Sequence, residues 1–201
     1  MEYLFSVIVF SVSATLTPGP NNILAMASGL SFGMLRSLPL LFGICVGFSL
    51  MLLLVGLGFG QILTAFPQLS VYLKIIGVIY ILYLAYVIAN NSDFNKQGPQ
   101  AKPLSFFNGL LFQWVNAKAW VVCISAVSAF TTQGESYLSQ IIFLTVTFLI
   151  VGPPCVGIWI FSGALMNKYL SNRSAVRGLN IGMSLLLVAS VFPVVKGLLL
   201  Y

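Results

Sequence analysis

Thr17-Pro18-Gly19-Pro20-Asn21-Asn22 interrupts an apolar run that begins at Tyr3 and ends at Gly33. Neither flank alone is long enough to cross a bilayer, which takes roughly 20 apolar residues; together they are. A polar, proline-rich break then falls at membrane depth. Unpaired backbone is tolerated there only where it is buried in protein or lines a cavity. Pro18 and Pro20 have no N–H and crowd the carbonyls four residues earlier, so the carbonyls of Ala14 and Leu16 are expected to lose their helical partners. Thr17 and Gly19 each precede a proline and are biased away from helix. Pro20 suits the first position of a new helix. The N–H groups of Asn21, Asn22 and Ile23 are then expected to be free at the positive end of its dipole. Free carbonyls fit an ammonium and free N–H groups fit a carboxylate, so a zwitterion matches both sides of the break. The competing reading is an ordinary proline kink.

The rest of the chain supports a membrane setting. Of 201 residues, 59% are hydrophobic and only 6% charged, against about 25% charged in a soluble domain. Too few charges exist to cover a water-facing surface. The class is an all-α polytopic membrane protein; long, continuously apolar segments argue against a β-barrel. The net charge of +6 is scattered, so no basic run points to nucleic acid. There is no histidine, and Cys45, Cys123 and Cys155 form no CxxC pair. No metal site and no cofactor are expected. The N-terminus carries Glu2 and no basic stretch, so no cleavable signal peptide is read and the first helix is expected to persist.

Six spans are expected, at about 3–31 (broken at Pro18-Gly19-Pro20), 38–63, 70–90, 105–130, 138–166 and 178–200. A polar linker at 91–104 divides a first three-helix unit, 1–90, from a second, 105–201, within one transmembrane domain. Arg36, Lys96, Lys102, Lys168, Arg173 and Arg177 fall in loops on one face; the opposite loops hold only Glu135. The positive-inside rule makes the basic face cytoplasmic and puts both termini outside. Lys74 and Lys196 lie near outer ends of spans, where they can snorkel. Three spans is an odd number, so the second unit is inverted relative to the first, a 3+3 inverted repeat. Span four is then the counterpart of span one, and Cys45-Val46-Gly47 matches Cys155-Val156-Gly157.

Span four carries Gln113, Asn116 and Lys118. Lys118 lies about 13 residues into the span, roughly 20 Å from its start. A lysine at that depth costs at least about 2.5–3.5 kcal/mol and must face the bundle interior or a wet cavity. The three acids, Glu2, Asp93 and Glu135, all lie outside the spans. Freed carbonyls, asparagine side chains or an anionic substrate group are its available partners. A purely structural lysine bonded to helix-end carbonyls is the alternative. Gln113 and Asn116 share a helical face, whereas Asn116 and Lys118 share one only if the helix is distorted. Gly152-Pro153-Pro154 in span five is expected to bend or break, as a hinge or as a static kink. Gly43-x-x-x-Gly47 and Gly56-x-Gly58-x-Gly60 are read as packing glycines. The absence of intramembrane carboxylates argues against divalent metals and cationic solutes as cargo.

Leu16-Thr17-Pro18-Gly19-Pro20-Asn21, the chain length and the six-span pattern resemble the LysE/RhtB family of bacterial amino acid exporters. Pro18 to Ala25 with Val115-Asn116-Ala117-Lys118 is most similar to its cysteine/O-acetylserine branch. The family's Asn-Pro-Lys-Ala stands here as Asn116-Ala117-Lys118-Ala119; without the proline, a milder break is expected in span four. The resemblance implies export of small neutral amino acids (cysteine, O-acetylserine, homoserine or threonine) across the bacterial inner membrane. The expected partners are a zwitterionic substrate and the bilayer; glycine-rich faces permit a homodimer. The site read from these residues is Thr17, Pro18, Gly19, Pro20, Asn21, Asn22, Gln113, Asn116 and Lys118. The Ala14 and Leu16 carbonyls with Asn21, Asn22 and Asn116 would take the ammonium. The N–H groups after Pro20, with Lys118, would take the carboxylate. The alternative from another class is a membrane thiol-redox carrier using Cys45 and Cys155.

Overall fold

A computed structural model describes residues 2–90, 102–169 and 173–199. Most of the expected linker, including Lys96, lies outside the described residues. Helices run at α1 (Glu2–Leu16), α2 (Pro20–Gly56), α3 (Phe59–Ala65), α4 (Pro67–Asn90), α5 (Phe106–Val115), α6 (Ala117–Phe130), α7 (Tyr137–Tyr169) and α8 (Arg173–Leu199). Among the described residues, four stretches are long and apolar enough to cross a membrane: Pro20–Gly56, Val71–Asn90, Tyr137–Tyr169 and Ser174–Leu198. The bent pair α5 and α6 passes the same test as one broken unit, and α1 is a shorter apolar helix.

The loop expected between the first two spans shrinks to one residue. Gly33, at φ 76°, ψ 177°, is the non-helical point within α2, a conformation that suits glycine because a Cβ is disfavoured there. The chain folds back at this point. The hydroxyls of Ser28 and Ser37 lie 2.8 Å apart, although nine residues of straight helix would separate them by about 13 Å. Asn22 and Ile44 likewise border one cavity. α2 is thus two arms, 20–32 and 34–56. The second arm ends at Gly56 rather than near 63, because Gly58 takes φ 99° and starts the separate short helix α3.

Close backbone crossings hold the bundle. A Cβ on Gly29 would overlap the carbonyl of Ile160, and one on Gly163 would overlap that of Met26, so α2 and α7 meet glycine to backbone. Gly43 and Gly47 of α2 do the same against Phe106 and Leu110 of α5, and Gly109 answers from the other side against Leu40. With lipid outside instead of water, such packing contributes more than hydrophobic burial. Gly56 packs on Ile141, but Gly58 and Gly60 make no comparable approach. One buried cluster joins α2, α4, α5, α7 and α8 around Leu24, Leu40, Leu84, Phe112 and Ile160. A second joins α1, α2, α6 and α7 around Val7, Met51, Cys123 and Leu144. Between them lies the break.

The expected break at Gly152-Pro153-Pro154 is not found: α7 passes through as one helix. The prolines deprive the carbonyls of Leu149 and Ile150 of donors, but both of those residues face outward. The opposite face, Gly152, Cys155 and Val156, is buried against α2. Packing on that face keeps the helix running.

Candidate functional site

α1 ends at Leu16, and Gly19 adopts a fully extended φ −178°, ψ 179° before Pro20 opens α2. Extended Gly19 directs its carbonyl to the new helix, where it accepts from the N–H groups of Asn22 and Ile23, both at 3.0 Å. This corrects the expectation of three free donors. Gly19 caps two of them, which leaves the N–H of Asn21. The carbonyl side is shifted as well. Asn22 Nδ2 donates to the carbonyls of Thr15 at 2.8 Å and Thr17 at 2.9 Å. The captured acceptors are those of Thr15, Thr17 and Pro18, not Ala14 and Leu16. The chain leaves the helix at Thr17 and turns these oxygens toward α2 and α6. The Thr17 hydroxyl bonds back to Ser13 of its own helix.

The second break, in span four, is not mild. α5 and α6 are bent by 71°, with Asn116 at φ −87°, ψ 103° between them. Asn116 takes the part of the missing proline. Its backbone N–H closes α5 on Gln113 at 3.2 Å. Its Oδ1 accepts the Lys118 N–H at 3.1 Å as the N-cap of α6. That bond takes the Lys118 N–H from the Trp114 carbonyl, and the Trp120 indole donates to that carbonyl at 2.9 Å instead. Trp120 was not foreseen as part of this region. A donor six residues from its acceptor obeys no helical period, so only the bend reveals it.

The two breaks face each other. Lys118 Nζ donates to the Thr17 carbonyl at 2.6 Å and lies 3.4 Å from that of Pro18. Asn21 and Gln113 exchange two amide hydrogen bonds, at 2.8 and 3.0 Å, and Gln113 also donates to Gly109. A cavity of about 40 Å³ opens beside them, bordered by Thr15, Gly19, Asn21, Asn22, Asn116 and Lys118. Ile44, Cys45, Phe48, Phe148 and Val156 close its apolar side, and Gly152 borders it too. A site of this size holds a few waters. All nine residues expected at the site therefore fall at one place, although Thr17, Pro18, Pro20 and Gln113 stand behind the lining. Asn116 and Lys118 reach the same cavity because the helix is distorted between them. The apolar wall was missed: Ile44, Phe48 and Phe148 look like any core residue in an apolar run. A larger cavity of about 480 Å³ lies across the α5–α6 break, between α4, α6 and α8. Its walls are apolar but for Lys74 and the indoles of Trp114 and Trp120, and none of the nine residues expected at the site lines it.

Two discontinuous helices meeting beside a small cavity with one polar side, inside a helical membrane bundle, define a class, that of membrane proteins that handle a solute at a helix break. The chain belongs to the LysE type translocator family, whose pattern matches residues 12–194. It is a translocator, not an enzyme. The cysteine/O-acetylserine efflux protein of Escherichia coli (strain K12) is 34% identical over 180 residues, 89% of this chain and 90% of that one. The proteins of the same description from Shigella sonnei (strain Ss046) and Shigella flexneri match to the same extent. No solved structure matches. The thiol-redox reading gains no support: Cys45 and Cys155 are buried free thiols, and the family is one of translocators.

Proposed function

We propose that this chain exports small neutral amino acids, of the cysteine, O-acetylserine and homoserine or threonine class, from the cytoplasm across the bacterial inner membrane. The observation that carries the reading is the Thr17 carbonyl. It belongs to a broken helix, stands just behind the cavity lining and is engaged by the primary ammonium of Lys118, which borders the cavity. The names of the relatives support the cysteine and O-acetylserine part of that class. The carbonyls of Thr17 and Pro18 would take the substrate ammonium. Lys118 and the Asn21 N–H would take the carboxylate, and Phe48 and Phe148 would border a small side chain.

The 3+3 inverted plan is part of this proposal. α1 with the first arm of α2, the second arm, and α4 form one unit; α5 with α6, α7, and α8 form the other. The basic loops face the cytoplasm and both termini face outward. Gly152, with Pro153 and Pro154, serves as the hinge, since it borders the cavity while the helix there lacks two hydrogen bonds. A homodimer is compatible with this plan.

The test is the amino acid content of the medium, by mass spectrometry, of cells overproducing the protein, Asn21→Ala or Lys118→Ala. A rise in one or a few neutral amino acids with the parent alone is expected. Equal export by both variants at matched membrane levels would rule out the site.

A further inference from the structure

We propose that Lys118 is an internal stand-in for the substrate's ammonium, which closes the empty site and must be displaced by each substrate molecule. This deepens the export reading and rests on it. Lys118 ends in the same chemical group as the expected cargo, a primary ammonium, and sits on the two carbonyls best placed to receive that cargo, Thr17 at 2.6 Å and Pro18 at 3.4 Å. Its approach is built into the chain. A Cβ at Gly19 would lie 2.8 Å from Lys118 Cδ and 3.2 Å from Nζ, so the stem passes directly over Gly19 and a larger residue there would push it aside. Among the described residues no carboxylate competes for it: Glu2 opens α1 and Glu135 lies in the turn before α7.

The consequence is an exchange. An arriving ammonium takes the Thr17 and Pro18 carbonyls, and the released Lys118 takes the carboxylate of the same molecule, because among the described residues no acidic side chain reaches it. The substrate replaces one ammonium–carbonyl contact with another and adds an ion pair. The Lys118–Thr17 contact ties the α1–α2 break to α6 beside the small cavity. The site then selects for primary ammonium groups with a carboxylate attached. An amine without a carboxylate would leave Lys118 charged and unpaired, and an N-acylated amino acid could not displace it.

The test uses thermal unfolding of the purified full-length protein, with methylammonium chloride against tetramethylammonium chloride at equal ionic strength. Lys118→Ala is expected to unfold at a lower temperature than the parent. Methylammonium, which can donate to the vacated carbonyls, should raise its Tm with saturation, and tetramethylammonium, which has no N–H, should not. The parent should respond to neither. An equal response of folded Lys118→Ala to both salts, or of parent and variant to methylammonium, overturns the proposal. Should Lys118→Ala not fold, acylation of Lys118 in the parent by an amine-reactive ester, read by mass spectrometry, decides. Serine, which carries both groups, should change the labelling of Lys118, and serinamide at equal concentration, which consumes the ester alike but lacks the carboxylate, should not. The same labelling with both overturns the proposal. Both readouts are independent of export, so a methylammonium effect without amino acid export would retain the ammonium subsite and remove the amino acid reading.

Discussion

Replacing Asn22 by alanine tests how the first break is held together. Its side chain is 2% exposed and donates to the carbonyls of Thr15 and Thr17. The two acceptors do not lose equally. Thr17 keeps Lys118 at 2.6 Å, whereas the structure gives Thr15 no donor but Asn22 for the bond lost at the break. The cost is therefore that of one orphaned, half-buried acceptor, at most about 1–3 kcal/mol. If the carbonyl finds another partner, the cost falls toward the ~0.6 kcal/mol average for membrane hydrogen bonds. In a Lys118→Ala background, the same change strips Thr17 as well. The double variant should then exceed the sum of the singles by about one more orphaned carbonyl, within the range of about 0.5–3 kcal/mol seen for coupled neighbours. The assay is reversible unfolding in mixed micelles across the four-protein cycle. Asn22→Asp, which cannot donate when ionised, should be no better than alanine. Additivity within about 0.5 kcal/mol, or an Asn22→Asp as stable as the parent, would refute the account of the break.

Other consequences are as direct. Gly29→Ala or Gly163→Ala places a Cβ on the backbone of the opposing helix and should cost about 1–3 kcal/mol or more through overpacking, read as a lower Tm and reduced membrane yield. Asn21→Ala and Gln113→Ala each break the same reciprocal amide pair, so their effects on unfolding should be strongly non-additive in a double-mutant cycle. Pro153→Ala and Pro154→Ala restore N–H donors inside an already continuous helix; stability should be unchanged or raised while the export rate falls. An unchanged rate would remove the hinge.

Several features were legible in the sequence because they follow from local covalent chemistry. Pro18 and Pro20 remove donors wherever they stand, so a break in the first span was fixed. Apolar runs with few charges left no alternative to a helical membrane bundle. The depth of Lys118 required a partner, and the absence of acids narrowed the choice to carbonyls, amides or substrate. The nine residues named from the sequence lie together at the two breaks, five of them on the cavity lining, while its apolar wall was not legible. What the sequence could not set was how each freed group would be paired, since some partners, Lys118 for Thr17 and Gln113 for Asn21, lie about a hundred residues away and the local ones depend on where the backbone turns. Gly19 spends its carbonyl on the new helix, so only one of three expected donors stays free. Thr15, Thr17 and Pro18 replace Ala14 and Leu16 as acceptors because the chain departs from the helix at Thr17. Asn116 performs the helix break expected to need proline, because a side-chain cap and a bent backbone can do together what a missing N–H does alone. Pro153 and Pro154 leave α7 unbroken because their other face is packed on α2. Local rules decide where a helix can break; the tertiary packing decides whether it does, and which distant group then fills the gap.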